Sequence, residues 1–301
     1  MIYKKTFSNY VRISIIVATL LLAATGQNNH VVYAAVMKGL TVSPLRTEIS
    51  IAPGTSQDQT LTVSNTNNRP ITVQLSTEEF SVIDQNYDYS FNTQTQLTKW
   101  VTFTPDILNL AVGETKIATF RIGVPLSAEP GGRYLSLFAT TNAGTSNNGV
   151  VSQQRVGSLV YLTVTGDISR SGHLVSLNAP WIMTEPTKWS AVLQNTGTTH
   201  YHSRYNVVLE PIIGNSNAIA TISGDALILP ATVRLIEDTV PSPTFPGVYK
   251  VVYTIGLGDS PVRIETRIMV YMPPIAIIVL LFAVILLFSL ITGYRTRKKR
   301  T

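Results

Sequence analysis

The sequence contains no cysteine. A disulfide scaffold is excluded, and the chain must hold itself together by burying apolar surface. In an exported chain the lack of thiols favours a bacterial surface protein over a eukaryotic ectodomain. Histidine is scarce: there are 4 in 301 residues. No Gly-x-Ser-x-Gly elbow, His-Glu-x-x-His or P-loop occurs. Acidic residues are isolated except for Glu78-Glu79 and Glu237-Asp238. Adjacent strand residues point to opposite faces, so neither pair makes a carboxylate dyad. Sustained 3.6-residue periodicity is absent outside the apolar termini. These absences indicate a non-enzymatic, all-β protein with no cofactor and no metal.

Charge is unevenly placed. The chain has 23 Lys+Arg against 17 Asp+Glu, a net +6. Lys4, Lys5 and Arg12 lie at the start, and Arg295, Arg297, Lys298, Lys299 and Arg300 lie at the end. The remaining 23 − 3 − 5 = 15 basic residues face all 17 acids, so the body is about −2. Nucleic-acid binding needs clustered basic residues on the folded body, so it is excluded.

Both basic ends read as membrane signals. The first three cations precede "ISIIVATLLLAA" (Ile13 to Ala24) and the small-residue stretch "VVYAAV". That order is a secretory signal, here residues 1–34, with cleavage after Ala34. An uncleaved anchor is the alternative. At the other end "IAIIVLLFAVILLFSLI" (Ile275 to Ile291) carries no charge. With its flanks, residues 272–294, it is long enough to cross a bilayer core of about 30 Å. The cations at 295–301 then mark a cytoplasmic tail. The expected localisation is a single-pass cell membrane protein, its domains outside and its tail inside, with the lipid bilayer contacted through Ile275–Ile291.

Between the ends, strand signals dominate. "TEISI", "QTLTVSN" and "ITVQLST" alternate apolar and polar residues and are separated by "APGT" and "NTNNRP". "LTKWVTFTP", "ETKIATFRIGV", "RYLSLFATT" and "SLVYLTVTGDI" continue the pattern. Short strands broken by Gly, Pro and Asn turns form antiparallel sandwiches. A boundary falls near "GDISRSG", and a second set of about seven short strands follows. The stems "TVSNTNNRPITV" and "AVLQNTGTTHYHSRYNV" are alike, hinting at one fold used twice. The expected architecture is two immunoglobulin-like β-sandwich domains, residues 35–167 and 168–271, followed by a single C-terminal transmembrane helix.

Several segments carry a family resemblance. "VSPLRTEISIAPGTSQDQTLTVSNTNNRPITVQL", "VGETKIATFRIGVPLSAEPGGRYLSLF" and "VGSLVYLTVTG" together resemble the first domain of the WxL-interacting surface proteins of Gram-positive bacteria. "LQNTGTTHYHSRYNVVL", "LILPATVRLIED" and "PGVYKVVYTIGLG" are similar to the module that follows it there. The resemblance implies a first domain that binds peptidoglycan and a second that binds host proteins. The second domain here is short for that family. The first domain also looks similar to pilus-chaperone domains. The expected function is thus adhesion or scaffolding, with cell-wall glycan or another surface protein as partner. A membrane-tethered, pilus-chaperone-like assembly factor is the alternative.

Candidate ligand contacts are Tyr87, Tyr89 and Phe91 in the polar loop "DQNYDYSFNTQTQ", which share a face if the segment is extended. Arg133 and Tyr134 follow the rigid turn in "EPGGRY", with a packing role for Tyr134 as the plainer alternative. Trp100 and Trp189 read as core residues, and Trp181 is left open between core and sugar stacking. His200 and His202 lie on one side of a strand without a third ligand, so no metal is assigned. "LPATV" (Leu229 to Val233) departs from a sorting signal in sequence and position and reads as a strand end and turn. The loop Asn142 to Gln154 is small and polar and reads as a mobile tip.

Overall fold

The computed structural model describes residues 39–93, 95–141, 153–213 and 217–298. The signal reading of residues 1–34, most of the Asn142–Gln154 loop and the end of the basic tail lie outside the described residues.

The first sandwich begins with β1 (Leu40–Ser43) and β2 (Arg46–Ile51), on either side of Pro44 and in different sheets. Next come β3 (Ser56–Asn65), β4 (Ile71–Val82), β5 (Tyr89–Asn92), a 3-10 turn at Leu97–Trp100, and β6 (Val101–Thr104). The domain closes with β7 (Ile107–Leu110), β8 (Thr115–Gly123), β9 (Gly131–Thr141) and β10 (Arg155–Val164). One sheet runs β1-β3-β8-β6, the other β2-β10-β9-β4-β5 with β7 also on β4. Alternation on β3, β8 and β9 turns Leu61, Val63, Ala118, Phe120, Leu135 and Leu137 into one dry core. Each of these side chains except Ala118 contributes about 1.5–3 kcal/mol by leaving water.

The second sandwich repeats this plan. Its strands are β11 (Gly172–Asn178), β12 (Ile182–Met183), β13 (Thr187–Asn195), β14 (Tyr201–Pro211), β15 (Ala220–Ile228), β16 (Val233–Val240), β17 (Gly247–Leu257) and β18 (Ser260–Tyr271). The sheets run β11-β13-β16 and β12-β18-β17-β14-β15. In both domains the opening segment splits between the sheets, and its second half lies parallel to the last strand: β2 on β10, β12 on β18. The likeness of the two stems has a physical basis. Asn65 ends β3 and Asn195 ends β13, and both are fully buried. Each side-chain carbonyl accepts the N–H two residues on, from Asn67 and Gly197 respectively. Each amide donates to buried backbone oxygens, Asn65 to Leu110 and Ala111, Asn195 to Thr199 and Ile228. The Asn thereby closes its turn and satisfies carbonyls that no strand reaches.

One local reading needs correction. The "LTKW" part of "LTKWVTFTP" is a 3-10 turn rather than strand, because Leu97 turns into the core there. "LPATV" is the strand end and turn that the sequence indicates: β15 ends at Ile228, Leu229–Thr232 turn with Ala231 at φ +57°, and β16 follows.

After β18 comes a helix, α1 (Pro274–Lys298), which contains Ile275–Ile291. Among the described residues no helix is long and apolar enough to cross a membrane. In α1 the side chains are described without interruption only from Pro274 to Phe288. Ile275, Val279, Phe282 and Ile285 among them are exposed.

Candidate functional site: the cleft between the sandwiches

Both sandwiches belong to one compact unit that begins at Gly39. The outer face of the β2-β10-β9-β4-β5 sheet joins them. By strand alternation Phe80, Tyr134 and Tyr161 point away from the first core, yet they are buried in one cluster with Trp189, Tyr201 and Tyr253 of the second domain. Phe80 packs edge-on against Tyr161 at 5.5 Å, and Tyr134 meets the His200 ring at 5.6 Å. This docking covers Tyr134, and Phe91 and Arg155 cover Phe138 farther along, so β9 is buried on both faces.

The loop after β4 secures the contact. Tyr87 sits at φ +68°, a left-handed conformation that costs a bulky residue about 1–2 kcal/mol. Its surroundings hold it there. The hydroxyl lies 2.8 Å from Thr232 Oγ1 and accepts the Leu229 N–H at 2.8 Å. The Arg234 guanidinium stands 4.3 Å from the ring centre. The Leu235 N–H also donates to the Gln85 carbonyl. Burial pushes the Tyr87 hydroxyl pKa above its usual range despite these bonds. On the other side of the aromatic face the Gly132 N–H donates to Thr198 O, and Thr163 Oγ1 lies 3.2 Å from Thr199 Oγ1.

The two domains leave an open cleft of about 500 Å³. Glu48 and Thr163 come from the first sandwich, and Arg170, His200, His202 and Arg204 from the second. His202 bridges the domains: Nε2 is 2.9 Å from Glu48 Oε2, and Nδ1 is 2.8 Å from Asp225 Oδ1. Burial pushes the Glu48 carboxyl up. The hydrogen bond and charge of His202, with Arg46 behind, outweigh this and hold it below the usual carboxylate range. His200 is different. Burial drives its pKa down to about 4, against the opposing pull of Glu48, so it is neutral at neutral pH. Its Nδ1 lies 3.3 Å from the Tyr134 hydroxyl. Arg204 reaches into solvent, its side chain 84 % exposed and 3.9 Å from Asp225. The lining of the cleft thus sets two guanidinium groups, Arg170 and Arg204, beside two carboxylates, Glu48 and Asp259, around a neutral imidazole.

No family model matches the chain, and no curated protein does. Among solved structures, a class 5 fimbriae chaperone, CfaA, is similar at 10 % identity and TM-score 0.43, over 78 % of this chain and 100 % of that one. The Salmonella enterica SafA pilin–SafB chaperone complex is similar at 11 % identity and TM-score 0.38, over 78 % and 99 %. A Pseudomonas aeruginosa CupB2 chaperone is similar at 11 % identity and TM-score 0.35, over 75 % and 99 %. At these scores the likeness is one of outline and assigns no role.

The residues expected to bind ligand are dispersed. Tyr87 is 6 % exposed and its backbone is not extended, so it does not share a face with Tyr89 and Phe91; it plugs the second domain. Tyr89 and Phe91 do share a face of β5 at 39 % exposure each, packed against Phe80. Tyr134 is buried. Its ring lies over Gly132, where a Cβ would come within 2.1 Å of the hydroxyl oxygen, and this is why glycine precedes it. Arg133 is half-buried and donates to the Gly132 and Glu129 carbonyls, which ties its side chain to the turn. Trp189 is buried as expected, Trp100 packs at the margin of the first core, and Trp181 is 71 % exposed. Glu48, Arg170 and Arg204 were not singled out by the sequence. The only pointer to them was the His200-x-His202 pair.

Proposed function

We propose that this chain is an exported, membrane-tethered, non-enzymatic binding protein whose partner is another exported protein, held in the cleft between its two sandwiches. The observation that carries the reading is the cleft itself: two domains locked by a shared aromatic core, with Arg170 and the exposed Arg204 in the lining. Guanidinium groups form paired hydrogen bonds with carboxylates, so an acidic polypeptide segment suits the opening. The interior of the cleft holds an uncharged imidazole and a bridging His202, neither arranged for nucleophilic work. The aromatic residues that would stack on sugars are mostly committed to packing, which disfavours wall glycan and favours the role of an assembly factor or scaffold.

The tether is α1. Its exposed Ile275, Ile278, Leu280, Leu281 and Val284 point in several directions around the helix, and a helix apolar on all sides belongs in a core or a bilayer. The cations beyond it favour a cytoplasmic tail with the sandwiches outside. Full-length protein in detergent, used to capture envelope material, tests the reading. Arg170→Glu with Arg204→Glu is expected to abolish capture of a protein partner without lowering the melting temperature. Capture that is unaffected by the two reversals, or that yields peptidoglycan fragments instead of protein, would overturn it.

A further inference from the structure

The last strands of the two sandwiches have unlike edges. In the first domain β2 covers β10 through six residue pairs, Leu159↔Arg46 to Val164↔Ile51. In the second, β12 covers β18 through only two, at Val270 and Tyr271. The Val270 and Met272 N–H groups donate to Trp181 and Met183 on that side, so even-numbered residues of β18 direct their backbone groups outward. Pairing of β18 with β17 is regular from Arg263 to Tyr271. Ile264, Thr266 and Ile268 therefore present N–H and C=O to an edge that no strand pairs with among the described residues. Met269 and Tyr271 point into the core, so the even side chains lie on the outer face, where Ile264 and Ile268 are 62 % and 61 % exposed.

An open edge of this kind is a template for another strand. The sequence "RIETRI" is complementary to itself when run antiparallel about Thr266. In that register Thr266 faces Thr266 of the second copy. Ile264 faces Ile268, and all three are outward-bonding positions on both chains. The intervening positions place Glu265 opposite Arg267, twice. Charges on a free edge usually prevent self-association. Here they pair, and both already meet within one chain, Arg267 Nη1 lying 3.0 Å from Glu265 Oε2. We infer that this edge is an interaction surface for a second copy of the same chain, joining two β12-β18-β17-β14-β15 sheets across a two-fold axis at Thr266. Tyr271 of each chain would then stand five residues from the axis, about 33 Å apart along the strands. The contact is thus made by β18, not by α1.

The absence of cysteine makes the test direct, because one introduced thiol is the only one present. Opposed residues in such a hydrogen-bonded pair have Cα atoms about 5.5 Å apart, within disulfide reach. Full-length Thr266→Cys in detergent is expected to form a disulfide dimer under mild oxidation. Ile268→Cys, facing Ile264, is expected not to link to itself. Arg267→Glu, which sets Glu against Glu, is expected to convert the dimer to monomer in light scattering, and Glu265→Arg with Arg267→Glu to restore it. A monomeric wild type, or the absence of a link at Thr266→Cys, overturns the inference. So does a self-link at Ile264→Cys in its place, because that register loses the Glu265–Arg267 pairing, and so does a Thr266→Cys link to a different protein. Loss of cleft binding by the Arg170 and Arg204 reversals leaves this dimer intact, so the two readings fail separately.

Discussion

Removal of one oxygen atom, in Tyr87→Phe, isolates the contact that locks the sandwiches together. The ring and its Arg234 stacking remain. What disappears is the acceptor for the buried Leu229 N–H and the partner of Thr232 Oγ1. A buried donor left without an acceptor costs about 1–3 kcal/mol. At roughly 2–4 °C per kcal/mol for a body of this size, a loss near the middle of that range lowers the melting temperature by roughly 4–8 °C. Tyr87→Ala also removes the ring, and aromatic truncations in a core cost about 3–5 kcal/mol. Because the ring is the first domain's plug in the second, the larger change is expected to split one calorimetric transition into two. Differential scanning calorimetry of the full chain reads both effects. Ile213→Ala, an exposed residue, serves as the reference with a change within about 0.5 kcal/mol. A Tyr87→Phe melting temperature within one degree of wild type would refute the reasoning.

Acidification is expected to loosen the domain contact. Burial holds the His200 pKa down at about 4 in the folded chain, against about 6.5 for a solvated imidazole. Between those values the unfolded chain binds more protons, so stability falls as pH drops from 6.5 to 4, by up to about 3 kcal/mol. His200→Gln flattens that slope in pH-dependent urea titrations; an unchanged slope assigns it elsewhere. The depressed Glu48 carboxyl adds stability that is present above pH 4.5 and lost as pH falls through its lower folded value. Glu48→Gln is expected to erase that acid limb only. Asn195→Ala strands the Thr199 and Ile228 carbonyls and the Gly197 N–H, and is expected to cost about 3 kcal/mol in urea midpoint measurements; a loss below 1 kcal/mol contradicts the turn-closing role. For topology, Thr244→Cys is expected to react with an impermeant maleimide on intact cells, and Thr301→Cys only after permeabilisation. The reverse pattern would invert the proposed orientation.

Strand alternation in the sequence identified most strands because period-2 burial is a local property, as in "QTLTVSN" and "GVYKVVYTIGLG". β15 escaped notice because its first half, "ATISGD", has Ile222 as its only large apolar residue, and at the sheet edge its alternation runs only between half-buried and exposed. The division of the opening strand at Pro44 was also hidden, since both halves are short and each pairs with a partner far along the chain. The site was least legible. Phe80, Tyr134 and Tyr161 occupy positions that alternation assigns to solvent, and only the docking of a second domain buries them. Tyr87, Tyr89 and Phe91 appeared equivalent in sequence, but a left-handed residue at Tyr87 turns the first into the neighbouring domain while the other two stay on β5. Among the cleft residues, Glu48 and Arg170 come from stretches of the chain remote from His202 and Arg204 of β14, and no local pattern links the three segments.

The central claim, that the cleft holds another exported protein, is tested most directly by cross-linking from the cleft in living cells. With Arg204→Cys as the sole thiol, a short thiol-to-amine reagent reports what lies at the mouth. The expected product is a discrete adduct that protease removes and muramidase leaves unchanged, and that is absent when the probe is moved to the exposed Ile213. An adduct that muramidase dissolves, or equal yields from the two positions, would contradict the claim.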